Sequence, residues 1–155
     1  MRRRDFITLV GGAAVWPLAA RAQQGDRVRR IGVLVGGFNQ NDPEGKLVYS
    51  AFTQALADLG WTDGRYMRMD PRWGSADINQ LRAFAQELVG LQPDIIVTGG
   101  TPETVDLQRE TRTIPIVFAG VTDPVASGIV PRLDRPGGNI PRLRHLGSLF
   151  GRQVA

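Results

Sequence analysis

Four short apolar runs alternate with three amphipathic stretches in the central part of the chain. Residues 29–35 form the most regular of these runs, RRIGVLV, which is followed by a Gly-Gly pair. A run of β-branched and apolar residues of this length is typical of a strand buried on both faces. A weaker strand is predicted over residues 66–72, and two further apolar strands over residues 94–100 and 114–120.

Helices are predicted in the stretches between these strands. Asp42 followed by Pro43 is a typical N-cap and first turn, and Gly60 is a typical stop for the helix that follows. A second helix is predicted over residues 77–88 and a third over residues 101–112. The apolar residues expected on the buried face of the first helix are Leu47, Val48, Phe52, Ala55, Leu56 and Leu59. Those expected on the buried face of the second are Ile78, Leu81, Phe84, Ala85 and Leu88.

The alternation of strands and helices, joined by short loops, predicts an α/β fold. We expect a three-layer arrangement in which a parallel sheet has helices on both faces, with flavodoxin-like topology. In such sheets, ligands bind beyond the carboxyl ends of the strands. The loops over residues 36–42, 98–102 and 121–125 are therefore the predicted location of a binding site.

The first 22 residues have a different organisation. A cluster of arginines precedes an apolar run of about 15 residues, which ends in the small-residue sequence Ala-Arg-Ala. This order predicts a secretory signal peptide, because the apolar run is shorter than the roughly 20 residues that span a bilayer. The paired arginines indicate the twin-arginine type. The residues expected to carry the signal are Arg3, Arg4, Phe6, Ala20 and Ala22.

The net charge of +4 is concentrated at the two ends of the chain. Of the 19 basic and 15 acidic residues, residues 1–22 hold four basic and one acidic, and residues 141–155 hold three basic. Residues 23–140 therefore carry 12 basic and 14 acidic side chains. A slightly acidic body does not attract phosphates over long range, so no nucleic-acid partner is expected.

Cysteine is absent and histidine occurs once, at His145. The lack of cysteine excludes disulfides, thiolate catalysis, cysteine-ligated zinc and a lipid-modified cysteine anchor. The body of the chain also has no Ser-His pair and no histidine metal site. We therefore expect no catalytic residues, no metal and no cofactor.

The loop after the third predicted strand has the sequence TGGTPET. Its glycines, Gly99 and Gly100, let the backbone approach a ligand, and the start of the third helix presents free N–H groups and a positive dipole end. Together with the hydroxyls of Thr98 and Thr101, they predict a cradle for a small carboxylate. The same residues also fit a structural role, in which Thr101 is an N-cap and the glycines form the turn.

Two other loops supply candidates. Asp123, in the sequence TDP, lies at the same predicted edge and suits an ammonium group, although Asp before Pro is equally common in turns and caps. Asn39, in the loop after the first strand, is a further candidate for ligand contact. Neither G-x-G-x-x-G nor G-x-x-x-x-G-K-[ST] occurs, so the strong phosphate-binding signatures are missing.

Taken in order, these motifs resemble a known family. The stretches RRRDFI, RRIGVL, DIIVTGGTP, TRTIPIVF, DPVASGIV and RPGGNI are similar to those of the ABC transporter substrate-binding proteins that include tryptophan- and tyrosine-binding members. The resemblance implies the first lobe of a type I periplasmic binding protein, with a small solute as ligand and an ABC permease of the inner membrane as partner. It also implies a ligand cleft to which Asn39, residues 98–101 and Asp123 contribute.

The resemblance ends after Ile140. The family continues with a strand that crosses into a second lobe, whereas this chain continues with an unmatched basic tail, residues 141–155. We expect a truncated form that consists of the signal peptide, residues 1–22, and an N-terminal lobe, residues 23–140. The signal peptide predicts export by the twin-arginine machinery, and the lack of a cysteine anchor predicts a soluble protein in the periplasm. Two alternatives are a flavodoxin-like enzyme that binds nucleotide or flavin, and a non-functional fragment.

Overall fold

Four parallel strands form one sheet in the computed structural model, which describes residues 27–141. The strands are β1 (Arg29–Gly36), β2 (Met67–Gly74), β3 (Ile95–Thr98) and β4 (Ile116–Phe118). They lie in the order β2-β1-β3-β4, and each neighbouring pair is parallel. The predicted α/β fold with a flavodoxin-like parallel sheet is therefore confirmed.

Helices α1 (Pro43–Asp58), α2 (Ile78–Gly90) and α3 (Thr101–Glu110) connect the strands. Asp42 is the N-cap of α1, as predicted, and its carboxylate accepts a hydrogen bond from the Glu44 N–H. Asp77 caps α2 in the same way through the Asn79 N–H. Both helices thus begin where a short acidic side chain satisfies an otherwise unpaired amide.

The two faces of the sheet carry separate apolar clusters. Beneath α1 the cluster contains Ile31, Val33, Met67, Met69 and Ile95. Beneath α2 and α3 it contains Leu34, Ile96 and Ile116, together with Leu88 and Leu107 from the helices. Successive residues of a strand point to opposite faces, so the continuous apolar run of β1 supplies both clusters.

The buried face predicted for α1 is correct only in part. Leu47, Val48 and Leu59 are 70%, 56% and 71% exposed, respectively. Phe52 and Leu56 pack against the core, as predicted, and they do so together with Tyr49, which was not predicted. Aromatic rings bury a large area each, so the orientation that covers Tyr49 and Phe52 is favoured over one that covers the smaller aliphatic side chains. In α2, Ile78 is likewise exposed rather than buried.

The chain after β4 packs back against the core. Ile129, Val130 and Ile140 are buried in the same cluster as α2 and α3. The Ile116 N–H donates to the Asn139 carbonyl at 2.9 Å, so the outer side of β4 is partly paired. The Asn139 side-chain amide donates to the Ile114 carbonyl at 2.8 Å. The apolar core therefore extends to Ile140.

The predictions for the two termini lie outside the described residues. They concern the signal residues Arg3, Arg4, Phe6, Ala20 and Ala22, and the tail after Pro141. Within residues 27–141, no helix is both long enough and apolar enough to cross a bilayer.

Candidate functional site

Loops from three strands meet at the carboxyl edge of the sheet. The Ala119 N–H donates to the Thr98 carbonyl at 3.0 Å, which continues the pairing of β3 and β4 by one step. Gly120 then turns with a φ of 68°. A Cβ on Gly120 would lie 2.7 Å from the Gly99 carbonyl oxygen, so a side chain does not fit at this position. The loop after β4 therefore lies directly against the loop that leads into α3.

An open groove of about 640 Å³ lies at the same edge, between the loop after β1 and the end of β2. Its polar lining residues are Asn39, Gln40, Asn41, Arg72, Ser75 and Gln80. Its apolar lining residues are Pro71, Trp73 and Phe84. Amide and hydroxyl groups beside two aromatic rings suit a small solute that has both polar and apolar parts.

Two large side chains of the groove are held by neighbours. The Trp73 ring packs edge-on against Tyr49, with the ring centroids 5.4 Å apart. The Arg72 guanidinium donates to the Glu87 carboxylate at 2.6 Å. This hydrogen bond is the main cause of a raised pKa for Arg72 and a lowered pKa for Glu87. The positive charge of Arg72 is therefore already balanced within α2 and β2.

A buried carboxylate lies at the start of α3. Glu103 is 3% exposed, and its carboxylate lies over the Cα of Gly36 at the end of β1. A Cβ on Gly36 would stand 2.6 Å from Oε2 and 2.7 Å from Oε1. A Cβ on Gly100 would stand 3.0 Å from Oε1, and one on Gly99 would stand 3.7 Å from it. We call Gly36, Gly99 and Gly100 the glycine cradle.

The hydroxyl of Thr98 is engaged inside the protein. Thr98 is 1% exposed, and its Oγ1 lies 2.6 Å from Oγ1 of the buried Thr104. Thr104 in turn donates to the Gly100 carbonyl, so Thr98 is the donor to Thr104, because each hydroxyl has one proton. This chain of bonds fixes the end of β3 to the first turn of α3. The role of Thr98 in ligand binding stays a prediction.

Helix α3 begins at Thr101 itself. If Thr101 were the N-cap, the helix would begin one residue later, at Pro102. Gly100 is the N-cap and makes no side-chain hydrogen bond, and Thr101 is the first helical residue. The alternative that Thr101 is itself the N-cap is therefore wrong. Because Gly100 has no side chain, no capping group covers the first-turn amides from that position.

Asp123 and Asn39 make local hydrogen bonds within their own loops. The Asp123 carboxylate accepts from the Val125 and Ala126 N–H groups at 3.2 and 2.9 Å. The Asn39 side-chain oxygen accepts from the Asn41 N–H at 2.9 Å, while the residue itself lines the groove. Both are exposed, and both carry further hydrogen-bonding capacity. Their assignment to the ligand stays a prediction.

The sequence reasoning missed Glu103 and the glycine cradle. An acidic residue in the first turn of a helix is common because it interacts favourably with the dipole, so Glu103 carries no distinctive local signal. Its position depends on Gly36, which belongs to a different element, β1.

No group of three or more His, Cys, Asp or Glu side chains suited to a metal occurs within residues 27–141.

Comparison with known proteins identifies relatives for most of this region. The sequence profile of the ABC transporter substrate binding protein family matches residues 41–145. A tyrosine-binding protein from Clostridioides difficile (strain R20291) is 35% identical over 89 residues, which are 57% of this chain and 26% of that protein.

Solved structures with the same fold include an ABC domain in complex with L-Trp from Streptococcus pneumoniae. It is 28% identical with a TM-score of 0.66, and the alignment covers 74% of this chain and 37% of that one. A conserved domain protein from Vibrio cholerae gives a TM-score of 0.67 at 28% identity, with 74% and 38% of the two chains covered. The chain thus spans about a quarter to two fifths of the length of these relatives.

Proposed function

Because the chain belongs to the ABC transporter substrate binding protein family, we propose that it provides one wall of a cleft that binds an amino acid or a related small carboxylate. The wall comprises Asn39, residues 98–101 and Asp123. The observation that carries this proposal is the contact between the loop after β4 and the loop that leads into α3, at the carboxyl edge of the sheet. Of the wall residues, Asn39 also lines the open groove. Ligands of parallel α/β sheets bind at this edge.

The chemistry of the edge supports an amino acid as ligand. The uncapped first turn of α3 offers backbone N–H groups and the positive end of the helix dipole to a carboxylate. Trp73 and Phe84 offer ring surfaces to an apolar side chain. One relative is named as tyrosine-binding and another was solved with L-Trp, which favours aromatic amino acids as the first candidates.

A single wall encloses a ligand from one side, whereas sites that bind small molecules well bury about 70–90% of the ligand surface. We therefore expect the 155-residue chain to bind an amino acid with a Kd on the order of millimolar. Nuclear magnetic resonance is suited to such weak binding. The test is a titration of the isotope-labelled chain with L-tryptophan, L-tyrosine and a panel of other amino acids.

Variants at the proposed wall sharpen this test. Thr101→Ala and Asp123→Ala should each weaken the binding of the best amino acid, whereas Thr113→Ala, an exposed threonine before β4, should not. The stability of each variant is measured separately, because loss of local hydrogen bonds costs about 1 kcal/mol. Unchanged binding in both site variants would contradict the assignment of these residues.

The transport role is part of the same proposal. The chain would be exported by the twin-arginine machinery, act as a soluble protein in the periplasm and deliver its solute to a membrane permease. Mass spectrometry of the periplasmic fraction should then find Gln23 at the N-terminus. Replacement of Arg3 and Arg4 by lysine should block export, and unaffected export would contradict the twin-arginine route.

A further inference from the structure

We propose that Glu103 is the residue that binds the ammonium group of the solute. This inference rests on the proposed function, because it concerns the same cleft. In this inference the start of α3 provides a negative group, Glu103, as well as the backbone N–H groups of its first turn. Three observations support it: the burial of Glu103, the lack of a hydrogen-bond or ion-pair partner for it within residues 27–141, and the glycine cradle.

The carboxylate of Glu103 is buried without a partner from the protein. With 3% of the residue exposed, it is more deeply buried than any other acidic residue of the described chain. Neither oxygen accepts a hydrogen bond or joins an ion pair within residues 27–141. Both carboxylate oxygens keep some contact with solvent, because no side-chain oxygen within residues 27–141 is fully covered without a hydrogen-bond partner. The carboxylate therefore retains contact with the open side of the cradle.

A buried carboxylate in this position is costly for a protein unless a ligand supplies the missing charge. Transfer of an anion from water to a low-dielectric site is unfavourable without a counter-charge or hydrogen bonds. The helix dipole offsets part of this cost, because Glu103 lies in the first turn of α3. An ammonium group supplies both a positive charge and hydrogen-bond donors.

The cradle keeps space for this carboxylate. Gly36 and Gly100 do not have positive φ values, so neither glycine is required by its backbone conformation. What they share is proximity to Glu103, since a Cβ at either position would lie within 3.0 Å of a carboxylate oxygen. Glycines without a conformational requirement often mark a place where another group must approach closely.

The position also suits an α-amino acid. In such a molecule the ammonium and carboxylate groups are attached to the same carbon, so both reach the start of one helix together. The ligand carboxylate would then face the N–H group of Thr101, since Pro102 has none, and the ammonium would face Glu103 itself. Asp123 is a weaker candidate for the ammonium group, because it is exposed and its carboxylate already accepts two backbone hydrogen bonds.

Three indole probes test this assignment on the full chain. L-Tryptophan carries both charged groups, tryptamine carries only the amine, and indole-3-propionate carries only the carboxylate. In Glu103→Gln, which keeps the shape of the side chain, L-tryptophan and tryptamine should bind about tenfold more weakly. Indole-3-propionate should bind as well as before or more tightly. The matched control is Glu110→Gln, which removes the same charge at the far end of α3.

The outcomes separate the two proposals. If the unmodified chain binds none of the probes, the proposed function fails and this inference fails with it. If L-tryptophan binds the unmodified chain and Glu103→Gln equally well, only the inference is overturned. Equal weakening of all three probes would also overturn it, because that result indicates a structural role. If Glu103→Gln does not fold, the unmodified chain still decides, since it should bind L-tryptophan more tightly than indole-3-propionate, which lacks the ammonium group. Equal or tighter binding of indole-3-propionate would overturn the inference.

Discussion

Asp94 and Asp70, towards the amino end of the sheet, have cationic partners. Glu103, at the carboxyl end, has none within residues 27–141. Asp94, just before β3, lies 3.1 Å from Arg27 and 3.5 Å from Arg29. Asp70, on β2, accepts a hydrogen bond from Arg30 at 2.6 Å. The paired carboxylates join neighbouring strands and serve stability. The unpaired one lies where the loops converge, so it is available to a ligand.

The largest effect on stability should come from the amino end. Asp94→Ala removes the acceptor of the Arg30 N–H, a hydrogen bond of 2.8 Å, together with two ion pairs. We expect the free energy of unfolding to fall by about 1–3 kcal/mol, because a half-buried amide loses its partner. Urea denaturation measures the change.

The control for this comparison is Asp134→Ala, which breaks an exposed ion pair with Arg132 and should cost about 0.2–1 kcal/mol. Glu103→Gln at the carboxyl end should cost less than Asp94→Ala, because the Glu103 carboxylate accepts no hydrogen bond from the described part of the chain, residues 27–141. A loss in Glu103→Gln as large as that in Asp94→Ala would contradict the contrast between the two ends.

A smaller effect is expected from Gly36→Ala. The new Cβ would lie 2.6 Å from Oε2 of Glu103, so the carboxylate must move out of the cradle. Overpacking of this kind costs about 1 kcal/mol when the crowded group is the end of a flexible side chain. The binding of L-tryptophan should weaken together with that of tryptamine.

The double variant Gly36→Ala/Glu103→Ala tests whether crowding of the Glu103 carboxylate causes this loss of stability. In a Glu103→Ala background the carboxylate is absent, so Gly36→Ala should no longer lower the free energy of unfolding. Equal costs of Gly36→Ala in both backgrounds, measured by urea denaturation, would show that the cradle does not serve Glu103.

The smallest effect concerns pH. The hydrogen bond from Arg30 holds the pKa of Asp70 below its ordinary value of 3.8. Stabilisation from a lowered native pKa is fully present above the ordinary value and is lost as the pH falls through the native one. The difference in unfolding free energy between the unmodified chain and Asp70→Asn should therefore be constant near neutral pH and should shrink below pH 3.8. A difference that grows on acidification would contradict the pairing of Asp70 with Arg30.

Local signals predicted the elements well. The Asp42-Pro43 start of α1 and the β-branched run of β1 depend on neighbouring residues in the chain, so the sequence displays them directly. The buried face of α1 was predicted only in part, with Phe52 and Leu56 correct and Leu47 and Val48 wrong, because periodicity does not tell which apolar side chains fill the space above the sheet. The burial of Ile129 and Ile140 in the core was not predicted for the same reason, since it depends on how the chain folds back beside α3.

The candidate site was predicted only at the level of loops. Parallel topology places the ends of β1 and β3 together, so the loops at Gly36 and Thr98 were expected at one edge. Side-chain direction was not predictable in this way. The Thr98 hydroxyl is engaged with Thr104, and Glu103 occupies the space above Gly36. These contacts join residues from different elements, and no local pattern encodes them.

The central claim, that the carboxyl edge binds an amino acid while the amino edge stabilises the sheet, is tested most directly by mapping the amide signals that L-tryptophan perturbs in the isotope-labelled chain. We predict changes at residues 36–41, 73–75, 98–101, 103 and 123, and none at residues 29–30, 67–70 or 94–95. Perturbations concentrated at the amino end, or spread evenly over the sheet, would contradict the claim.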